Sequence, residues 1–329
     1  MAALALTKEA KEYALEEFKR RHALNSLRKS LQEQMLPHLQ TLWWCKDEAL
    51  HIIKRHFTES TNHAIIDNFL GVVAFRDVRN EVEIAQSSNL MSTDGLLTLQ
   101  GRQESIRTDT LGWFECTALP TAPVKCSFED SKTADTNQWP HIHYLLQRIE
   151  TLVSELGSAN YGDAEDPIVR EFGLCKSRTK VMVTKYAGRE DDGSRYTPHV
   201  DNGDKNGRRL TAIYYLNDEW KRVHGGALRL YTKNENAGNN SNPNLNLDLG
   251  VHCDVEPVAD RLVLFLSDER TPHEVLPTHK DRFAVTVWFW DPAEKAEGDA
   301  IRESEREKDR MDMEKENVET DEIDLTELD

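Results

Sequence analysis

Between Lys180 and Trp290 the apolar residues fall into short runs separated by turn formers. The runs are Lys180 to Tyr186, Leu210 to Leu216, Ala227 to Tyr231, Arg261 to Leu266 and Arg282 to Trp290. They are rich in β-branched and aromatic residues, which suit a pleated, half-buried surface, so they predict β-strands. Gly225-Gly226 and Asp248-Leu249-Gly250 mark turns between them. Several short strands at this spacing predict a sandwich or jelly roll. The flanks follow a different period. Lys8 to Arg55 is rich in Ala, Leu, Glu and Lys, with apolar or aromatic positions at helical spacing (Leu15, Phe18 and His22, then Leu24, Leu27 and Leu31), and Pro37 breaks it into two helices. Ile142 to Leu156 reads as a further amphipathic helix, which assigns His141 and His143 to its start and gives them no metal role.

The expected fold is therefore mainly β with flanking helices, around a double-stranded β-helix (jelly-roll or cupin-like) core. The expected divisions are an N-terminal helical segment (1–58), a central domain (59–292) with its core at about 178–292, and a C-terminal tail (293–329). The N-terminal helices either brace the sheet or bind a partner, and packing is the simpler expectation.

Charge separates the tail from the rest. From Ala293 onward there are 16 acidic and six basic residues, so the tail supplies −10 of the net −17. Its alternating charges predict a solvated helix that frays into an acidic coil near Asp321. An acidic chain with a pI of about 5.2 and no basic stripe does not suit nucleic acid. No apolar run approaches the roughly 20 residues of a membrane span. Met1 to Leu6 is too short for a signal-peptide core. The five cysteines (Cys45, Cys116, Cys126, Cys175, Cys253) show no paired metal spacing and read as reduced thiols, which places the protein in the cytoplasm or nucleus. Asn234 to Asn246, with seven asparagines, reads as a loop between strands.

Against this frame two His-x-Asp pairs stand out, His199/Asp201 and His252/Asp254. On a strand, residues i and i+2 share a face, so either pair could offer two ligands to one ion. His273 is the third candidate. It lies 74 residues after His199 but only 21 after His252, and a jelly roll needs several strands between the two halves of such a site. Two imidazoles and one carboxylate on one side of a metal form the facial triad of non-haem Fe(II) oxygenases, with the other positions open for cosubstrate and O2. Nine residues after His273, Arg282 opens an apolar strand. A desolvated guanidinium needs an anion there, either a neighbouring Asp or Glu or a small dicarboxylate held bidentately.

The segments Tyr196–Asn202, Ile213–Trp220, Gly225–Tyr231, Asp260–Val275 and Asp281–Phe289 resemble the catalytic domain of the prolyl 4-hydroxylases, and within them the hypoxia-inducible-factor prolyl hydroxylases and their protist relatives. The similarity begins at Ala64–Gly71, passes through Ser105–Asp109 and runs to about Asp291. It implies that His199, Asp201 and His273 bind iron and that Arg282 holds the distal carboxylate of 2-oxoglutarate. It further implies that Tyr215 hydrogen-bonds the same carboxylate, that Tyr186 faces the cosubstrate, that Trp288 lines the pocket, and that Arg107 and Asp109 approach the peptide substrate. Without that resemblance, aromatics at strand spacing read as core, and alternation lets only one of Tyr214 and Tyr215 face a pocket. The chain departs from the family pattern in a longer segment Arg189–Tyr196 and in the asparagine-rich insert.

The implied activity is hydroxylation of a prolyl residue in a protein, with Fe(II), 2-oxoglutarate and O2, ascorbate as an accessory reductant, and a role in oxygen sensing. In the family the protein substrate is a transcription-factor subunit in animals and a ubiquitin-ligase adaptor in protists. Retention of Asp201 favours hydroxylation over halogenation, because related halogenases lack that carboxylate. Two alternatives stay open on the residues alone: a 2-oxoglutarate-dependent hydroxylase of another side chain, and a catalytically silent jelly-roll binding module.

Overall fold

The computed structural model describes residues 8–92, 106–114, 125–127, 133–135, 139–158, 166–191, 193–233 and 249–326. The asparagine-rich stretch lies outside them.

The N-terminal segment forms α1 (Lys8–Gln34), a 3-10 segment (Pro37–Cys45) and α2 (Asp47–His56). Pro37 takes the first turn of the 3-10 segment, where its missing N–H costs nothing. The face that α1 buries differs from the expected stripe. Ala10, Glu17 and Leu24 are buried, whereas Leu15 and Phe18 are 52% and 65% exposed. Glu17 reaches the buried ring of His63 at 3.3 Å, and that ion pair turns the Leu15–Phe18 edge outward. Leu27 and Leu31 still pack on the core.

There follow β1 (His63–Asp67), α3 (Val72–Ser87), β2 (Thr110–Phe114), β3 (Lys125–Ser127), β4 (Thr133–Asp135), α4 (Pro140–Leu156), α5 (Pro167–Gly173), β5 (Ser177–Arg178) and β6 (Val181–Tyr186). The remaining strands are β7 (Tyr196–His199), β8 (Arg208–Tyr215), β9 (Leu228–Lys233), β10 (Leu249–Val255), β11 (Arg261–Leu266), β12 (His273–Val275) and β13 (Arg282–Trp290). The chain ends in α6 (Pro292–Thr326), which continues past the expected fraying point at Asp321. The turn expected at Asp248-Leu249-Gly250 is instead the start of β10, with Leu249 paired to Lys233. A Cβ on Gly250 would lie 2.9 Å from the Thr232 carbonyl oxygen, so this glycine marks a close strand approach.

Two antiparallel sheets face each other as a double-stranded β-helix. The larger has the order β1-β11-β8-β13-β6-β2, with β5 beside β13, and the smaller has the order β10-β9-β12-β7. Both faces of the larger sheet are buried, which is why its strands are nearly all apolar. Leu210, Ala212 and Tyr214 of β8, Leu262 and Leu264 of β11, and Phe283, Val285 and Val287 of β13 pack toward the helices. The alternate residues Ile213, Tyr215, Val263, Phe265 and Ala284 face the smaller sheet, where Leu228, Leu230, Val255 and Val275 meet them. The functional residues lie in this space between the sheets.

Candidate metal centre and anion pocket

β7 and β12 are short neighbouring strands, and their register places His273 directly opposite His199. The two imidazole rings lie 4.2 Å apart, centre to centre. Asp201 follows β7, and its carboxylate oxygens stand 3.9 Å from His199 Nε2 and 3.6 Å from His273 Nε2. One donor atom from each of the three lies within 4.8 Å of the other two. The Nδ1 atoms of His199 and His273 approach the carbonyl oxygens of Thr197 and Thr271 at 2.8 and 3.1 Å. A carbonyl can only accept, so each Nδ1 carries a proton and each Nε2 is the ring nitrogen turned toward Asp201.

Electrostatics favours the same protonation. Burial, reinforced by the neighbouring His273, pushes His199 down to about 3, so it is a neutral donor at physiological pH. Burial alone would raise the Asp201 carboxyl, but His273, His199, Arg208 and the Thr211 hydroxyl hold it below the usual range. Thr211 donates to Asp201 Oδ2 at 2.7 Å, leaving Oδ1 open. Two imidazole nitrogens and one carboxylate oxygen, converging from one side, fit a divalent transition metal with open coordination positions.

The alternative pair does not form such a site. His252 and Asp254 lie on β10, and the Asp254 carboxylate is taken by the Arg229 guanidinium at 2.7 and 2.9 Å.

Arg282 is only 1% exposed. It lies across from Tyr186 in the β6–β13 ladder, donates from Nε to the Gly226 carbonyl at 2.8 Å and from Nη2 to the Tyr215 hydroxyl at 3.3 Å. Among the described residues no carboxylate pairs with it, so the salt-bridge alternative open at the sequence level is not what the fold builds. A buried guanidinium without a counter-ion is costly, and this one lines the same cavity of about 130 Å³ as His199, Asp201 and His273. The chemistry of the cavity therefore calls for an anion at the Arg282 end and a metal at the other. Gly226 shapes this wall: its φ is +65°, and a Cβ there would meet Thr278 Oγ1 at 2.9 Å and Arg282 Cδ at 3.1 Å.

Tyr186 and Trp288 line the cavity, and burial pushes the Tyr186 phenol well above its ordinary range. Tyr215 stands behind the guanidinium, while Tyr214 points away and donates to Asp260 Oδ1 at 2.8 Å. Arg107 lines the mouth and is held by Asp109 through contacts of 2.8 and 2.5 Å. Asp109 is fully buried behind Arg107 and is not part of the lining. Sequence reasoning missed Tyr196, whose ring stacks on His199 at 3.7 Å and lies beneath Arg107 at 4.6 Å. It also missed Arg208, stacked over Trp288 at 4.3 Å, and Thr211. Thr211 was accessible through alternation along β8, since it shares a face with Ile213 and Tyr215.

Residues 181–290 match the profile of the 2OG-Fe(II) oxygenase superfamily. The chain is 30% identical over 275 residues to the hypoxia-inducible factor prolyl hydroxylase of Caenorhabditis elegans, covering 79% of this chain and 32% of that protein. It is 42% identical over 157 residues to the human prolyl hydroxylase EGLN3, covering 47% of this chain and 54% of that one. It thus spans about a third to about half of these relatives. Among solved structures it resembles a Trichoplax adhaerens prolyl hydroxylase in complex with a hypoxia-inducible-factor peptide, with a TM-score of 0.55 and 28% identity over 76% of this chain and 92% of that one. No helix among the described residues is long and apolar enough to cross a membrane.

Proposed function

We propose that this chain, whose residues 181–290 carry a 2OG-Fe(II) oxygenase domain, is an Fe(II)- and 2-oxoglutarate-dependent dioxygenase that hydroxylates the 4-position of a prolyl residue in a protein. One observation carries the reading. A buried guanidinium with no carboxylate partner among the described residues shares a small cavity with two imidazoles and a carboxylate.

His199, Asp201 and His273 would hold the iron. Arg282 would bind the distal carboxylate of 2-oxoglutarate, with its planar fork kept in place by Gly226 and Tyr215. Tyr215 accepts from Arg282 and so helps to hold the guanidinium, although it does not itself line the cavity. With iron, 2-oxoglutarate and O2 bound, the site would supply an oxidative decarboxylation to succinate and CO2, one oxygen atom of O2 going into succinate and the other into the substrate C–H bond. The protein's part is to orient the target and exclude water, through the Leu228, Val275, Ile213 and Ala284 lining. At the mouth Arg107, Tyr196, Arg208, Trp113 and Trp288 present cationic and aromatic surfaces to an extended peptide.

Ascorbate would act as a reductant that restores over-oxidised iron. The similarity to a hypoxia-inducible factor prolyl hydroxylase supports a place in oxygen sensing, and the absence of paired cysteine spacing supports a reducing compartment, the cytoplasm or nucleus. The test is succinate release with proline-containing peptides, together with peptide mass. Succinate formation coupled to a gain of one oxygen on proline supports the proposal. Metal binding without any 2-oxoglutarate turnover would favour a silent binding module instead.

A further inference from the structure

Behind the candidate metal centre, on the side away from the cavity, an ionic network joins the segment after Asp201 to the segment that leads to His273. Arg208 and Arg209 are neighbours on β8, so they point to opposite faces. Arg208 lines the cavity, and Arg209 turns back toward α5 and α6. Its guanidinium lies 2.9 Å from Glu294, 3.6 Å from Glu171 and 3.7 Å from Asp291. Glu294, in the first turn of α6, also accepts from the Asn202 side chain at 3.2 Å, one residue beyond Asp201. Glu171 on α5 also pairs with Arg270 at 3.1 Å, three residues before His273. The backbone closes the same circuit. Asn202 N donates to Ser267 O at 2.8 Å, and Ser267 N donates to Arg209 O at 3.0 Å.

We propose that Arg209 is a positioning residue for the metal centre. Held by Glu171, Asp291 and Glu294, it sets the spacing between the Asp201 loop and the loop that leads to His273. The inference rests on the assignment of His199, Asp201 and His273 as metal ligands. Two further features tie α6 into this role. Arg302 Nη1 donates to Asp204 O at 2.5 Å, and a Cβ on Gly298 would collide with Lys205 O at 2.0 Å, so this glycine lets α6 seat against the loop after Asp201. The first turns of α6 therefore belong to the support of the site.

A merely structural ion pair would lower stability and leave the metal centre alone, and that difference supplies the test. Cobalt(II) affinity is measured by calorimetry on the full chain carrying Arg209→Gln, Arg209→Lys or Glu294→Gln. Asp201→Ala serves as the site control, and Arg178→Gln, which breaks the ion pair between β5 and Glu150 of α4, serves as the stability control. The expected result is a roughly ten-fold weaker cobalt(II) affinity for Arg209→Gln, in the range found when groups behind metal ligands are removed. Partial recovery is expected in Arg209→Lys, and kcat should fall without a rise in the KM for 2-oxoglutarate, because the Arg282 wall is untouched. If Arg209→Gln does not fold, Arg209→Lys and Glu294→Gln give the reading. Cobalt(II) affinity within two-fold of wild type in every variant that folds, with only a lower melting temperature, would overturn the inference. Failure of the unaltered protein to bind cobalt(II), or binding that survives Asp201→Ala, would overturn the metal-site assignment itself.

Discussion

His199 and His273 face each other as register partners on two short antiparallel strands, though 74 residues separate them in the chain. The pairing brings two Nε2 donors to one carboxylate, and each imidazole is oriented by a carbonyl two residues before it. The strand register and the two carbonyl contacts thus fix both rings relative to the Asp201 carboxylate.

The choice between the two His-x-Asp pairs can be tested directly. His199→Ala and Asp201→Ala are expected to abolish 2-oxoglutarate turnover and metal binding together, because two remaining donors cannot hold the ion. His252→Ala is expected to retain both, since Asp254 is engaged with Arg229 on a different strand. Turnover assays with metal titration on the three variants check this, and the reverse pattern would move the centre to β10.

Gly226 makes a separate prediction. Its left-handed backbone costs a side-chain-bearing residue about 1–2 kcal/mol, and its carbonyl holds the Arg282 Nε. Expressed at the guanidinium, that strain amounts to roughly ten-fold in binding. Gly226→Ala should therefore raise the KM for 2-oxoglutarate about that much and leave cobalt(II) affinity unchanged, as steady-state kinetics and calorimetry can show.

The pair Glu17–His63 fixes α1 to the sheet and gives stability a pH dependence. Burial alone would lower the His63 pKa, but Cys253 and Glu17 hold it up at about 10. This contribution is present in full below the ordinary histidine value and is lost as pH rises through about 10. Burial alone would raise Glu17, yet His63, His56 and Arg21 keep it below its ordinary value, so its contribution is present above the ordinary carboxylate range and lost as pH falls beneath it. Stability from this pair thus spans the neutral range. Glu17→Gln is expected to cost about 3 kcal/mol near neutral pH and to flatten the alkaline limb of the stability profile, which denaturant melts across pH would register.

Much of the sheet was legible because its strands are apolar on both faces. Arg261 to Leu266 and Arg282 to Trp290 coincide with β11 and β13, since each is a long hydrophobic run between polar stops. The strands β7 and β12, of four and three residues, carry too little pattern to be read, although they bear two of the three metal-binding candidates. His199 and His273 stood out through their 74-residue spacing instead, and the fold brings them together with Asp201. What the pattern misjudged depended on partners distant in the chain. The buried face of α1 is set by Glu17 meeting His63, and no period within the helix reveals that contact. Tyr196 and Arg208 likewise gain their places only once β7 and β8 line one cavity.

The most direct test of the account is the equilibrium affinity of the anaerobic, Fe(II)-loaded protein for 2-oxoglutarate, followed through the visible absorbance of the metal chelate, in wild type and Arg282→Ala. Saturable binding is expected in wild type and, since hydrogen bonds to charged groups contribute about 1.5–3 kcal/mol, a loss of roughly 10- to 150-fold in Arg282→Ala with Fe(II) still bound. Equal affinity in the two proteins, or no chelate in wild type, would contradict it.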